Sequence, residues 1–324
     1  MHNKFTRPVS AVRRTLVAAA VLSLAPLSLM AAPDFPKQTV EITVLFGGPV
    51  NTIAKLLADG MAQDLGVSVV AVARTGGGGA VGYSFVQSSP PNGYNMVFNS
   101  NSVSVAYHSG NMPFDYKAFD PVAQIGMEVP ALAVRADSGW KTLKDFAEAG
   151  KKRKMKVGIS GRGSFTHFAS AELFDKLGIE VVYVPYGTGS APVELLGGRI
   201  DAALQWPAQF KAQADAGQLK VLAVTGPARI PLVPDVPTAK EQGYDVNTVM
   251  WRGLAVPKGT PRDVIDKLEK AVQKVVLSPD FKQRSGALGM EVAFLPAAEF
   301  GKVVANDDVT IAKLMQEHGM VKAK

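Results

Sequence analysis

The run Thr39 to Leu65 constrains this chain more than any other. Val40, Ile42 and Val44 alternate as a strand, Gly47-Gly48-Pro49 breaks it, and Ile53, Leu56, Leu57, Met61 and Leu65 then recur near helical period. A strand that turns through two glycines straight into a helix leaves backbone N–H groups unpaired at the helix start. The positive end of the helix dipole points the same way, so the corner can hold an anion without a charged side chain. The device returns in the second half. A strand at Met155 to Ile159 meets the corner Ser160-Gly161-Arg162-Gly163-Ser164-Phe165-Thr166, and a helix follows from Thr166 to Leu177.

The chain between and beyond these corners alternates strands with helices. Val67 to Ala73 reads as an apolar strand of the kind buried on both faces of a parallel sheet. Gly76 to Gly79 and a helix from Ala80 to Gln87 follow. Tyr94 to Phe98 is a third strand, running into a polar loop, Asn99-Ser100-Asn101-Ser102. Ala131 to Val134 reads as a strand leaving this domain, and a second unit starts near Arg135. It holds a helix at Thr142 to Ala149 and strands at Glu180 to Val184, Ile200 to Leu204 and Lys220 to Thr225. Val249 to Val256 re-enters the first domain, and the tail is helical. The expectation is an α/β protein with mixed, mostly parallel sheets. Residues 33–134 plus 250–324 form one domain and 135–249 the other, with a ligand cleft between them at the carboxyl ends of the strands.

Composition sets the class. The 324 residues carry a net charge of +7 and no cysteine, which excludes disulfides, thiol catalysis and cysteine metal sites. Without Lys4, Arg7, Arg13 and Arg14 the charge is +3, and no basic block suggests nucleic acid. Those four residues precede or flank an apolar run, Thr15 to Met30, ending at Ala31-Ala32. Residues 1–32 therefore read as a signal peptide and the destination as the periplasm. Arg13-Arg14 is a weak match to twin-arginine export.

Other motifs are less specific. Gly77-x-Gly79-x-x-Gly82 fits the dinucleotide fingerprint, but no acid lies between Tyr83 and Phe114 to hold a ribose, so the glycines read as a tight turn and anion nest. Ser160 lacks the second glycine of a nucleophile elbow, because Arg162 stands there. His2, His108, His167 and His318 are scattered without metal spacing. Arg74, Arg162 and Arg252 border glycine-rich or polar loops, where each could pair with a carboxylate or form an ordinary surface ion pair. Asp307-Asp308 reads as a solvated helix face.

The order and spelling of the loops resembles the TctC/Bug family, the extracytoplasmic receptors of tripartite tricarboxylate transporters. The resemblance runs from Phe35 to the C-terminus: FPKQTVEITVLFGGP, RTGGGGAVG, PPNGY, GISGRGSFTHFASAELF, VPYG, LLGGRIDAAL, LKVLAVTG, PDVPTAKEQGY and WRGLAVPKGTP. It implies a two-domain Venus-flytrap fold of the periplasmic-binding type II kind. It also implies a carboxylate held by backbone amides, hydroxyls and waters, no cofactor, no catalysis, a monomer, and membrane permease subunits as partners. Carried over by position, the first-domain pocket uses Phe46, Gly47, Gly48, Pro49 and Asn51, with Asn99, Ser100 and Ser102. The second uses Ser160, Gly163, Ser164, Thr166, Tyr186 and Gly187, with Gln205 and Trp206 on the rim. Phe46 and Asn51 stand where the family usually has proline and aspartate, and the loop after Tyr186 is a residue short. These departures point to an aromatic or bulkier carboxylate. A ligand sensor of the same fold, or a serine hydrolase using Ser160 or Ser164, are the alternatives.

Overall fold

A computed structural model of the chain describes residues 35–186 and 190–321. The expected signal segment and Gly187 lie outside them. In chain order the first run is β1 (Val40–Val44), α1 (Pro49–Leu65), β2 (Val69–Ala73), α2 (Ala80–Gln87), β3 (Asn95–Ser100), α3 (Ser102–His108) and β4 (Phe119–Glu128). The second is β5 (Ala131–Arg135), α4 (Leu143–Lys152), β6 (Met155–Ile159), α5 (Phe165–Leu177), β7 (Val181–Pro185), α6 (Ala191–Leu196), β8 (Ala202–Gln205), α7 (Lys211–Asp215) and β9 (Leu219–Val224). The last is β10 (Met250–Pro257), α8 (Arg262–Val276), α9 (Pro279–Ala287), β11 (Met290–Pro296) and α10 (Ala297–Glu317).

Two sheets result, in the orders β11-β4-β10-β3-β1-β2 and β7-β6-β8-β5-β9. They are mixed, as expected, but not mostly parallel. Helix crossovers make the pairs β1–β2, β1–β3, β6–β7 and β6–β8 parallel. The strands that carry the chain between sheets run against them, and the five remaining pairs are antiparallel. β5 lies inside the second sheet, between β8 and β9, so the chain crosses at Val129-Pro130, ahead of Arg135. β2 is an edge strand with Val70 exposed, not one covered on both faces.

Local rules explain the helices that frame the cleft. α1 has Pro49 at its first turn and ends on Gly66 at φ 70°, the left-handed stop glycine permits. It buries Ile53, Leu57 and Met61 in a core shared with Ile42, Phe98 and Leu268. α5 is capped by Ser164, whose Oγ accepts from the His167 N–H, and ends on Gly178 at φ 66°. It buries Phe168, Leu173 and Phe174 against Leu132, Val157 and Leu204. α10 belongs to both cores: Ala297 packs with the first, Ile311 and Met315 with the second. At about 1.5–3 kcal/mol per buried side chain, those two residues tie the tail firmly to the second sheet.

Candidate functional site

Three helix starts meet at one small cavity. Phe46, ahead of α1, Ser102, the first residue of α3, and Ser164, Phe165 and Thr166, at the start of α5, line it together with Ser160, Trp206 and Met250. Its volume is about 10 Å³, roughly what one water needs. A wider space of about 460 Å³ adjoins it through the shared residues Phe46 and Ser160, bounded by Gly76, Gly77, Gly78 and Arg162. The inner cavity is therefore the narrow end of a cleft whose outer part is roomy.

The second-sheet wall is a hydrogen-bonded unit. The Thr166 hydroxyl accepts from the Ser160 N–H at 2.8 Å and lies 3.1 Å from Ser164 Oγ. Ser164 Oγ donates to the Gly161 carbonyl at 2.7 Å, and Ser160 Oγ donates to Gln205 Oε1 at 3.0 Å. His167 Nδ1 accepts from the Gly163 N–H at 3.1 Å, which leaves its proton on Nε2. Burial, helped by the nearby Arg162 charge, lowers the His167 pKa to about 4, so the ring is neutral at pH 7. Neither serine hydroxyl is hydrogen-bonded to an imidazole or a carboxylate among the described residues.

The first-sheet wall is sparser. Gly48 caps α1 with its backbone alone, at φ 87°, and the Asn51 N–H donates to the Gly48 carbonyl at 3.1 Å. Across the cleft mouth the two glycine loops touch. A Cβ on Gly78 would sit 2.7 Å from the Gly163 carbonyl oxygen, and one on Gly163 would sit 2.3 Å from Asn111 Nδ2. Asn111 Nδ2 donates to the carbonyls of both Gly77 and Arg162 at 3.1 Å and so pins the loops to each other.

Among the described residues two buried polar atoms at this site lack a protein partner: Ser102 Oγ, which lines the inner cavity from the start of α3, and Gln205 Nε2, whose amide oxygen holds Ser160. A buried donor left unpaired costs about 1–3 kcal/mol, so both call for a water or a ligand. Below them, Arg252 and Glu128 form an ion pair with both side chains 2% exposed. The guanidinium lies 5.3 Å from the Trp206 ring, which also stacks near-parallel to Phe165.

The expected site residues divide. Phe46, Ser102, Ser160, Ser164, Thr166 and Trp206 share the inner cavity, and Gln205 supports Ser160. Gly47, Gly48, Pro49 and Asn51 form the adjoining turn into α1, and Gly163 sits in the loop contact. Tyr186 packs in the second sheet's apolar core instead, its N–H donating to Ile159. Asn99 and Ser100 are not loop residues but the end of β3. Asn99 accepts from Tyr83 Oη and lines a different cavity, and Ser100 Oγ accepts from the Ser102 N–H. Arg74 is bound to Glu41 and stacks on Phe85, so it is no ligand clamp. Asp307 is not a solvated face: it accepts from Trp251 Nε1 at 2.8 Å, and burial raises its pKa. Phe165, Met250 and Asn111 were not legible as site residues. Two are apolar and read as core, and the third carries no local signal.

Residues 53–320 match the tripartite tricarboxylate transporter family receptor, TctC. Three solved structures resemble the chain. The periplasmic binding protein BugD is 30% identical, with 89% of this chain and 100% of that one covered and a TM-score of 0.83. A ligand-free TctC solute-binding protein from Polaromonas is 31% identical, covering 87% and 99%, with a TM-score of 0.68. MatC from Rhodopseudomonas palustris with bound malate is 25% identical, covering 86% and 99%, with a TM-score of 0.80. The chain belongs to the TctC family, whose members are periplasmic solute-binding proteins and not enzymes.

Proposed function

We propose that this protein closes its two lobes, one on each sheet, around a small carboxylate with an aromatic or similarly bulky body, and delivers it to the membrane subunits of a tripartite tricarboxylate-type transporter. The reading rests on one observation: Ser102 Oγ, unpaired, lines the cavity with Ser160, Ser164 and Thr166 beside the rings of Phe46, Phe165 and Trp206, and Gln205, bonded to Ser160, leaves its Nε2 unpaired next to them. The hydroxyls, the Gln205 amide and the helix starts supply donors for a carboxylate, and the rings supply a surface for an apolar body. Each bond to the charged group contributes about 1.5–3 kcal/mol. Opening would pivot at the crossings Val129-Pro130 and Val249-Met250.

A thermal-shift screen of the chain from about residue 33 tests this. Benzoate-type acids, malate and citrate are compared. A ligand at 100 times its Kd adds about 2.7 kcal/mol, which is about 5–10 °C for a chain this size. The expected result is a shift with an aromatic acid that Ser102→Ala and Gln205→Ala each reduce. A shift with malate alone, unchanged in Phe46→Pro, overturns the aromatic body. No shift with any carboxylate, and none released on denaturation, overturns the carboxylate reading.

A further inference from the structure

A second cavity of about 380 Å³ lies against the first sheet and shares no lining residue with the cleft. We propose that it is a binding site for a small neutral compound with an apolar body and a carbonyl oxygen. Its polar anchor is Asn99, only 3% exposed. Asn99 Oδ1 accepts at 2.9 Å from Tyr83 Oη and at 2.9 Å from the Ser100 backbone N–H. A backbone N–H can only donate, so the amide orientation is fixed and the Nδ2 donor is turned away from both partners. Nδ2 is not among the buried polar atoms that lack a partner, and its side chain lines the cavity, so this donor is reachable from the cavity. A donor that opens onto a cavity with apolar walls suits an acceptor carried by a small molecule.

The walls say what carries that acceptor. Phe119, Pro121, Ala255 and Val304 are apolar, and Tyr116 adds a ring. Gly301 stands inside the 21-residue helix α10, where glycine is a poor choice, and a Cβ there would come within 3.3 Å of Pro121 Cγ. Its missing side chain keeps one wall open. The rim charges cancel: Lys258 Nζ is 2.6 Å from Asp120 and Lys117 Nζ is 3.5 Å from Asp115. A carboxylate would lose its hydration here with no unpaired cation to compensate, whereas a ketone or amide oxygen loses little and gains the Asn99 donor. The volume falls in the range usual for small-molecule sites.

Acetophenone and ethylbenzene, which differ by the carbonyl oxygen, are the probes. Both are titrated into the isotope-labelled chain and followed by NMR. Acetophenone is expected to move the Asn99 side-chain amide and the Ala255 methyl resonances and to bind about tenfold tighter than ethylbenzene. Asn99→Asp keeps the acceptor for Tyr83 and Ser100 but removes the donor, and the preference should vanish. Gly301→Ala favours the helix and narrows the cavity, and should weaken both probes alike. Equal affinities in the unmodified chain, shifts confined to Phe46 and Trp206, or no saturable binding would each overturn the proposal. If Asn99→Asp does not fold, Gly301→Ala decides: an acetophenone affinity it leaves unchanged overturns the site.

Discussion

The two glycine corners that meet at the cleft read alike in sequence and are built on opposite principles. Around Gly47 to Asn51 nothing but backbone preference holds the turn: glycine at φ 87°, proline at the helix start, no capping side chain and no acid in the first turn. Around Ser160 to His167 nearly every polar group is tied to another. Ser160, Ser164, Thr166 and His167 bond to one another, to the corner's own backbone or to Gln205 at 2.7–3.4 Å. The first corner keeps its donors open. The second is rigid before any ligand arrives. They should therefore fail in different ways, one to geometry and the other to protonation.

Acid gives the largest effect and should strike the second corner. His167 takes the Gly163 N–H on Nδ1 and meets the Tyr183 ring edge-on at 4.6 Å. Burial first, and Arg162 second, depress its pKa to about 4, against about 6.5 unfolded. The unfolded chain thus binds the proton more readily. Stability is complete above about pH 6.5 and falls as pH drops toward 4, by about 2–3 kcal/mol at pH 4.5. Urea unfolding at pH 7 and 4.5 measures it. His167→Gln should flatten most of that difference, and an unaltered pH dependence in this variant would remove His167 from the account.

What the sequence disclosed follows from the same contrast. α1 was legible because Gly48, Pro49 and Gly66 are local signals and its stripe is regular. β4 was not, because Pro121 and Gly126 break the strand pattern. The structure tolerates Pro121 beside a bulge, where it pairs with Ala255. The sequence puts Asn99 in the cleft because its strand signal ends at Phe98. One more strand residue reverses the side-chain direction, and parity alone sends Asn99 to the other cavity. Asn111 joins loops 34 and 51 residues away, a contact that no single window of sequence contains.

The first corner should break by geometry. Gly48→Ala places an L side chain at φ 87°, with its Cβ 3.3 Å from Gln209 Nε2. The conformation costs about 1–2 kcal/mol, and the contact adds strain or shifts Gln209. The loss should appear in urea unfolding at pH 7 and remain the same at pH 4.5, since no titrating group is involved. A neutral Gly48→Ala would mean that the turn relaxes freely, and the claim that backbone preference holds it would fall.

The smallest change discriminates most. Asn51 is the third residue of α1, and the first turn holds no acid. Asn51→Asp puts a negative charge against the positive end of the helix dipole, which should stabilise the fold by about 0.3–1 kcal/mol. The same charge faces a carboxylate held at the corner. Two unit charges about 4 Å apart repel by about 1 kcal/mol in water, roughly a fivefold loss of affinity. Stability and affinity should thus move in opposite directions, which no general damage to the fold can produce. Raising the salt to about 1 M shortens the screening length to about 3 Å and should shrink both effects together. If affinity holds while stability rises, the carboxylate does not sit at the start of α1, and the open donors of the first corner serve something else.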